Sequence, residues 1–208
     1  MSAQHSPLSD IDLTAEQIEL LLQIARTALT KSIAGDQQWR PDLKSLPDRL
    51  RAHGACFVTL YTDGALHGCI GSVDPVLPLA HDVAKNAISA GQNDPRFPPL
   101  TAPELDRTAI EISILSPMQR VLFHDIEDLI AQIRPGEDGV LVERGWNRGL
   151  LLPQVWDKIA DPYEFLGHVA MKAYASIDIY DDPDAEVYTF QVYHFTQPAP
   201  QASAHQPE

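Results

Sequence analysis

The sequence predicts an α+β domain with a mainly antiparallel sheet and flanking helices. Runs such as "TAIEISIL" alternate apolar and polar residues, which is the two-residue period of a half-buried strand. Apolar residues at helical spacing lie between these runs. A hairpin followed by a helix occurs twice along the chain, which predicts two similar hairpin–helix units.

Composition and charge narrow the class of protein. The chain has 208 residues, and residues 11–196 are predicted to form one domain, with disordered ends at 1–10 and 197–208. The net charge of −14 disfavours a nucleic-acid partner, because such binding relies on Lys and Arg neutralising phosphates. No apolar run reaches the roughly 18 residues of a membrane span, and no secretory signal is recognisable. We therefore expect a soluble cytoplasmic protein with reduced cysteines.

The first half begins with a helix and a hairpin. Thr14 and Gln17 form a capping box ahead of an apolar stripe of helical period. The runs "ACFVTLY" and "ALHGCIG" flank "TDG", which predicts a hairpin with a turn at Asp63–Gly64.

A two-residue turn sets the register of this hairpin. It places Val58 opposite Cys69 and Leu60 opposite His67, so that His67 and Cys69 share one face unless Gly68 forms a bulge.

A helix, a loop and a strand complete the first half, and the second half then repeats the order of hairpin and helix. "PLAHDVAKNAISAG" is a helix, "NDPRFPPLT" an irregular loop and "TAIEISIL" a strand. "IEDLIAQI" is a helix and "GVLVERGWNRGLLLP" a hairpin. "DPYEFLGHVAMKAYA" is a helix with Asp161 as N-cap and Pro162 in the first helical position. "EVYTFQVYHF" is the closing strand.

Several of these stretches resemble one known family. "LHGCIGSVDP", "DPRFPPLTAPEL", "IEISILSP", "DGVLVERG", "GLLLPQV" and "VYTFQVYHF" occur in the order typical of the AMMECR domain family, the A component of the AmmeMemoRadiSam group. The resemblance covers roughly residues 15 to 196. It implies two similar units around a barrel-like sheet. It also implies association with a Memo-like protein and a radical SAM enzyme, without implying a reaction.

Two positions depart from the family pattern. His67 stands where the family usually has an arginine, and Ala170 stands where it often has a cysteine. A mechanism that needs two cysteines is therefore not favoured for this chain.

Cys69 is the first candidate for chemistry. A cysteine reacts as the thiolate, and His67 beside it is a candidate to stabilise that form. The alternative is a small, buried and inert residue. Gly68 and Gly71 on either side of Cys69 leave room for a close approach of chain or ligand, which makes them candidate binding positions.

Two charged residues are candidates to act with Cys69. Arg96 lies in a proline-stiffened loop, where it would either grip an anion or pin the loop by an ion pair with Asp94 or Glu111. Glu111 faces away from its isoleucine neighbours and is either a general base or an exposed carboxylate.

Three further residues lie in the second half. Gln154 follows "LLLP" and would either bind a substrate's amide or carboxyl group or cap a helix. His168 and Lys172 are four apart on one helix face, which suits anion binding or proton transfer but also simple solvation. No metal and no cofactor is predicted, since none of the usual nucleotide or zinc spacings occurs.

The function therefore has two hypotheses. The first is an enzyme or enzyme component with a pocket centred on Cys69, acting on a small molecule together with a radical SAM partner. The alternative is a non-catalytic adaptor or ligand-binding module. Whether the protein is an enzyme stays open at this stage.

Overall fold

The computed structural model describes residues 13–200, so the predictions for residues 1–10 and for the tail beyond residue 200 lie outside the described residues. The predicted domain contains two compact units. The first unit comprises residues 13–115 and 194–200, and the second comprises Ser116–Tyr193.

Six α-helices and ten strands are defined in the described part of the chain. The helices are α1 (Ala15–Ile33), α2 (Asp48–Arg51), α3 (Leu79–Gln92), α4 (Ala102–Leu105), α5 (Ile126–Gln132) and α6 (Pro162–Lys172). The strands are β1 (His53–Gly54), β2 (Cys56–Thr62), β3 (Ala65–Gly71), β4 (Leu77–Pro78), β5 (Thr108–Leu115), β6 (Gln119–Val121), β7 (Gly139–Arg144), β8 (Asn147–Leu151), β9 (Glu186–Phe190) and β10 (Val192–Gln197). Short 3-10 helices occupy Leu43–Ser45, Pro153–Asp157 and Ile177–Asp181.

Helix α1 begins as its sequence predicts. The Gln17 amide donates to the Thr14 hydroxyl at 3.3 Å, and the Thr14 amide donates to the Gln17 side chain at 3.1 Å, so the capping box is confirmed. Leu21, Ala25 and Leu29 recur at helical spacing and are fully buried. Helix α1 packs against α3, and α3 packs against β2 and β3. The core of the first unit therefore lies on one face of its sheet.

The turn of the first hairpin is also confirmed. Asp63 and Gly64 have φ of 52° and 80°, which is the pair of positive angles of a type I′ turn. The Arg107 side chain forms an ion pair with Asp63. Asp and Gly adopt these angles at low cost, which explains why the sequence forms its hairpin here.

The predicted register of this hairpin is wrong. Thr59 pairs with Cys69 and Leu60 pairs with Gly68, but the next pair is Tyr61 with Leu66. His67 is thus the extra residue of a β-bulge. The bulge shifts the pairing by one residue, and a shift of one residue moves a side chain to the other face. The prediction that His67 and Cys69 share a face is therefore also wrong.

The two units have the same sheet topology. The sheet of the first unit has the order β10-β5-β2-β3, and that of the second has the order β6-β9-β7-β8. Hairpin β2–β3 is followed by α3 and then β5, just as hairpin β7–β8 is followed by α6 and then β9. The prediction of two similar hairpin–helix units is confirmed. The predicted closing strand is divided at Gln191 into β9 and β10, which belong to different sheets.

Helix α6 has the predicted N-terminus. Asp161 is its N-cap, and the Glu164 amide donates to the Asp161 carboxylate at 2.8 Å. Pro162 occupies the first turn, where its missing N–H costs nothing. Phe165, Leu166 and Val169 form the buried face of the helix in the core of the second unit.

The structure confirms an α+β architecture with antiparallel pairing, including β2 with β3 and β5, and β7 with β8 and β9. No sheet within residues 13–200 closes into a barrel, so the barrel-like arrangement is not confirmed. No helix of residues 13–200 has the length and apolar character to cross a membrane.

Candidate functional site

The glycines beside Cys69 are explained by packing. A Cβ on Gly68 would lie 2.9 Å from the carbonyl carbon of Ala90 in α3, and closer still to its oxygen. A Cβ on Gly71 would lie 2.7 Å from one carbon of the Phe57 ring. Strand β3 therefore approaches helix α3 more closely than any side chain allows. A role for Gly68 and Gly71 in binding a ligand stays a prediction.

Cys69, Thr59 and Glu111 form a row across three strands, here called the Cys69 row. Thr59 in β2 pairs directly with Cys69 in β3 and with Glu111 in β5. Directly paired residues present their side chains on the same face of a sheet. The Thr59 hydroxyl donates to the Cys69 sulfur at 3.3 Å. Cys69 and Glu111 are partly exposed, whereas Thr59 is buried.

Tyr61 lies on the same face as the Cys69 row, two residues after Thr59 on β2. Burial raises the pKa of Tyr61, and the negative charge of Glu111 and then that of a Cys69 thiolate raise it further. The phenol is therefore held protonated as a hydrogen-bond donor near both groups. Sequence reasoning missed Thr59 and Tyr61, although the alternation in "FVTLY" places both on the polar face of β2.

The backbone of Cys69 is held from the free edge of the sheet. Asp94, whose side chain is only 1% exposed, accepts the Cys69 amide at 3.0 Å. Arg96 donates through Nη2 to the Cys69 carbonyl at 3.2 Å and to Asp94 at 2.6 Å. Its Nε donates to the other Asp94 oxygen at 2.9 Å. Asp94 and Arg96 thus satisfy both backbone groups that an edge strand would otherwise leave unpaired.

This arrangement decides between the two predicted partners of Arg96. The ion pair is made with Asp94, and the bonds it forms also fix the loop against β3. Hydrogen bonds from Arg96, followed by those from the two backbone amides, hold the pKa of Asp94 well below its usual range. The same contacts raise the pKa of Arg96.

His67 is only 8% exposed and lies in the bulge beside Gly68. Its ring stacks on Phe97, with 6.1 Å between the centroids. Its Nε2 has no hydrogen-bond partner among the described residues. His67 therefore contacts the "DPRF" loop. It does not share a face of the sheet with Cys69 and is not placed in that way to activate the Cys69 thiol.

The second unit supplies an internal comparison for the Cys69 row. Gly149 in β8 matches Gly68, because a Cβ there would lie 2.5 Å from the backbone nitrogen of Ala173, just after α6. Counting from these glycines, the equivalent row is Leu150, Leu141 and Tyr188. The same sheet position thus accepts leucines. The topology therefore does not require the polar groups of Cys69 and Thr59 at these two positions.

The other cysteine lies on the core face. Cys56 is completely buried, and its amide donates to Asp82 at 3.1 Å. Burial, and then the charge of Asp82, raise the pKa of Cys56 well above its ordinary value. Asn86 and Ser72 donate to the same carboxylate at 3.0 and 2.6 Å. This buried network joins the end of β3 to α3 and leaves Cys69 as the accessible thiol of the pair.

Comparison with known families matches residues 22–195 to AMMECR1. The chain belongs to the AMMECR1 family. It is 43% identical over 185 residues to a protein from Methanothermobacter thermautotrophicus, covering 88% of this chain and 95% of that one. It is 36% identical to a protein from Methanopyrus kandleri, covering 91% and 92% of the two chains. The crystal structure of an uncharacterised protein from Pyrococcus horikoshii matches with a TM-score of 0.78 at 35% identity, covering 88% and 93%.

The remaining predicted residues of this AMMECR1-family chain lie in the second unit. Gln154 is exposed in the 3-10 helix Pro153–Asp157, and Lys172 is exposed at the end of α6. His168 lies one turn before Lys172, with its Nε2 3.9 Å from Glu164. Binding roles for Gln154 and Lys172 stay predictions.

No cluster of three His, Cys, Asp or Glu side chains that could hold a metal ion occurs among residues 13–200.

Proposed function

We propose that this AMMECR1-family protein captures a small molecule at the Cys69 row, with the Cys69 sulfur as nucleophile or covalent anchor. The observation that carries the proposal is the hydrogen bond from the Thr59 hydroxyl to that sulfur, at 3.3 Å. A donor directed at sulfur stabilises the thiolate, which is the reactive form. The leucines at the two positions equivalent to Cys69 and Thr59 in the second unit support a role for this pair beyond folding.

A carbonyl compound is the ligand class that these groups suit. The sulfur forms a bond to the carbonyl carbon, and the π electron pair moves onto the carbonyl oxygen. Tyr61, whose raised pKa keeps it protonated, gives its proton to that oxygen. Glu111 accepts the thiol proton through solvent and returns it to Tyr61. The product is a hemithioacetal, and the step consumes only the thiol and the carbonyl compound.

Arg96 would hold an anionic group of the same ligand. Its hydrogen bonds to Asp94 and to the Cys69 carbonyl use Nε and Nη2, which leaves Nη1 to face a carboxylate or phosphate. The Asp94 contacts would keep the guanidinium in place, so that its geometry is set before the ligand arrives.

A radical SAM enzyme and a Memo-like protein are the proposed partners. This part of the proposal is supported by the family membership alone. In that setting the captured molecule would be passed to or received from the radical enzyme.

The test is the rate at which iodoacetamide alkylates Cys69, measured by peptide mass spectrometry between pH 6 and 9. Thr59→Val is expected to slow alkylation at pH 7 by about 2- to 10-fold. This factor corresponds to the loss of one hydrogen bond to the thiolate, with a net free energy of about 0.5–1.5 kcal/mol. Thr62→Val is the matched control, because the Thr62 hydroxyl contacts Thr108 and not Cys69. Cys56 serves as the internal reference and should stay unlabelled in the folded protein.

The opposite result would be clear. If Cys69 reacts only when the protein unfolds, as Cys56 should, the sulfur is structural and the covalent proposal fails. The adaptor or ligand-binding hypothesis would then take its place.

A further inference from the structure

Helix α6 carries an exposed apolar stripe on the side away from its core. Tyr163 and Met171 are 52% and 57% exposed, and Tyr174, just beyond the helix, is 92% exposed. Gly167 lies between Tyr163 and Met171, four residues from each, so these three share one face of the helix, and Tyr174 follows in the turn just beyond it. These residues are here called the α6 stripe. Its glycine, Tyr163 and Met171 line a cavity of about 330 Å³ together with Ile177.

Gly167 has no explanation among the contacts of residues 13–200. A glycine inside a helix lowers stability relative to alanine. Of the residues that the structure describes, a Cβ on Gly167 would meet only the Ile177 side chain, at 4.0 Å, and Gly167 does not have a positive φ. Gly68 and Gly149, by contrast, would each place a Cβ against backbone atoms. Room for an alanine exists at position 167, yet the position is left open.

Tyr174 is the reverse case. It follows the C-cap of α6 with a φ of 56°, a left-handed conformation for which glycine is the usual residue. Its amide donates to the Met171 carbonyl at 3.0 Å, and the Ala175 amide donates to the Ala170 carbonyl at 3.0 Å, as in a Schellman motif. The α6 stripe thus has a glycine at position 167, where a side chain would stabilise the helix. It has a bulky ring at position 174, where a glycine would fit the backbone conformation better. Both choices favour a contact made from outside the chain.

We infer that the α6 stripe is the contact surface for a second copy of this chain, with the two α6 helices antiparallel and crossing at Gly167. The stripe is self-complementary about that residue. Tyr163 and Met171 lie four residues on either side of Gly167, so a two-fold axis there brings Tyr163 against the partner's Met171. Contacts between a methionine sulfur and an aromatic ring are favourable.

The charges beside the stripe have the same symmetry. Glu164 and Lys172, both exposed, lie four residues on either side of His168. The same antiparallel crossing therefore brings Glu164 near the partner's Lys172. The axis repeats this ion pair, so that two are formed in the dimer, and the glycines would allow the helices to approach closely.

The experiment is sedimentation equilibrium of the full chain over a range of concentrations, supported by light scattering. We expect a monomer–dimer equilibrium with a dissociation constant on the order of 10–100 μM, because a contact through one helix buries an area at the small end of the range for protein–protein interfaces. Met171→Glu should weaken the dimer at least 10-fold. Gly167→Ala should also weaken it, while raising the Tm of the monomer by about 2–4 °C because a helix-interior glycine is removed.

A charge reversal separates this contact from loss of folding. Glu164→Lys and Lys172→Glu should each weaken the dimer, and the double variant should restore it, because the ion pairs are then re-formed with opposite signs. Lys158→Glu, also exposed in the second unit, is the control and should leave the dimer unchanged. A chain that stays monomeric at about 1 mM overturns the inference. So does a dimer that is insensitive to Met171→Glu, or a double variant that fails to restore association.

Discussion

Asp94→Asn is the substitution that tests most directly how the Cys69 backbone is held. The Asp94 carboxylate is almost fully buried and accepts four hydrogen bonds, from the amides of Cys69 and Arg96 and from two guanidinium nitrogens of Arg96. Asparagine keeps the shape but removes the charge and one of the two acceptors. Hydrogen bonds to a charged group are worth about 1.5–3 kcal/mol each, and the exposure of Arg96 reduces this value. We expect a net loss of about 2 kcal/mol in the free energy of unfolding.

The loss should depend on pH with a definite sign. Because the pKa of Asp94 is depressed in the folded protein, its stabilisation is complete above the ordinary pKa of an aspartate, about 3.9, and is lost as pH falls further. The Asp94→Asn variant lacks this contribution at every pH. The difference between wild type and variant should therefore be largest at pH 7 and shrink below pH 4.

The assay is urea unfolding followed by circular dichroism at pH 7 and at pH 3. Asp157→Asn, at an exposed position, is the matched control and should change stability by less than about 0.5 kcal/mol at both values. If the difference in the free energy of unfolding between wild type and Asp94→Asn is the same at pH 7 and pH 3, the role of the charge is refuted. A variant as stable as wild type at pH 7 would refute the whole arrangement.

Two further substitutions test the surroundings of Cys69. Gly68→Ala should lower the free energy of unfolding by about 1–3 kcal/mol, because the new Cβ would overlap the Ala90 carbonyl of α3. If the variant is as stable as wild type in urea, β3 and α3 do not pack as described. Glu111→Gln should lower the pKa of Tyr61 in a spectrophotometric titration, while burial keeps it above the ordinary value of about 10. If the Tyr61 titration does not move, Glu111 and Tyr61 do not interact across the sheet.

Local patterns determined much of the fold. The Thr14 capping box, the Asp63–Gly64 turn and the Asp161 N-cap each depend on residues within four positions of one another. Short-range hydrogen bonds and backbone angles fix such features, so the sequence predicts them directly. The repeated hairpin and helix were visible for the same reason, since each element has its own period.

The bulge was beyond this reasoning. A hairpin without a bulge satisfies the turn and the alternation equally well, and the choice depends on how β3 meets its neighbours. Gly68 must face α3 so that the two backbones can approach, and the extra residue His67 makes this possible while Cys69 pairs with Thr59. This one-residue shift separated His67 from Cys69 and made Thr59 the partner of the sulfur.

By itself the sequence determined the main helices and hairpins, the duplicated order of elements, the family and the choice of Cys69 as the residue to follow. The tertiary structure alone decided which groups surround it. Thr59 and Asp94 lie 10 and 25 positions away along the chain and contact Cys69 only through strand pairing and a folded-back loop, and Glu111 joins the same row by pairing with Thr59. Sequence patterns report which face a residue takes within its own element. Contacts between elements depend on register and close packing, which are set by many residues at once.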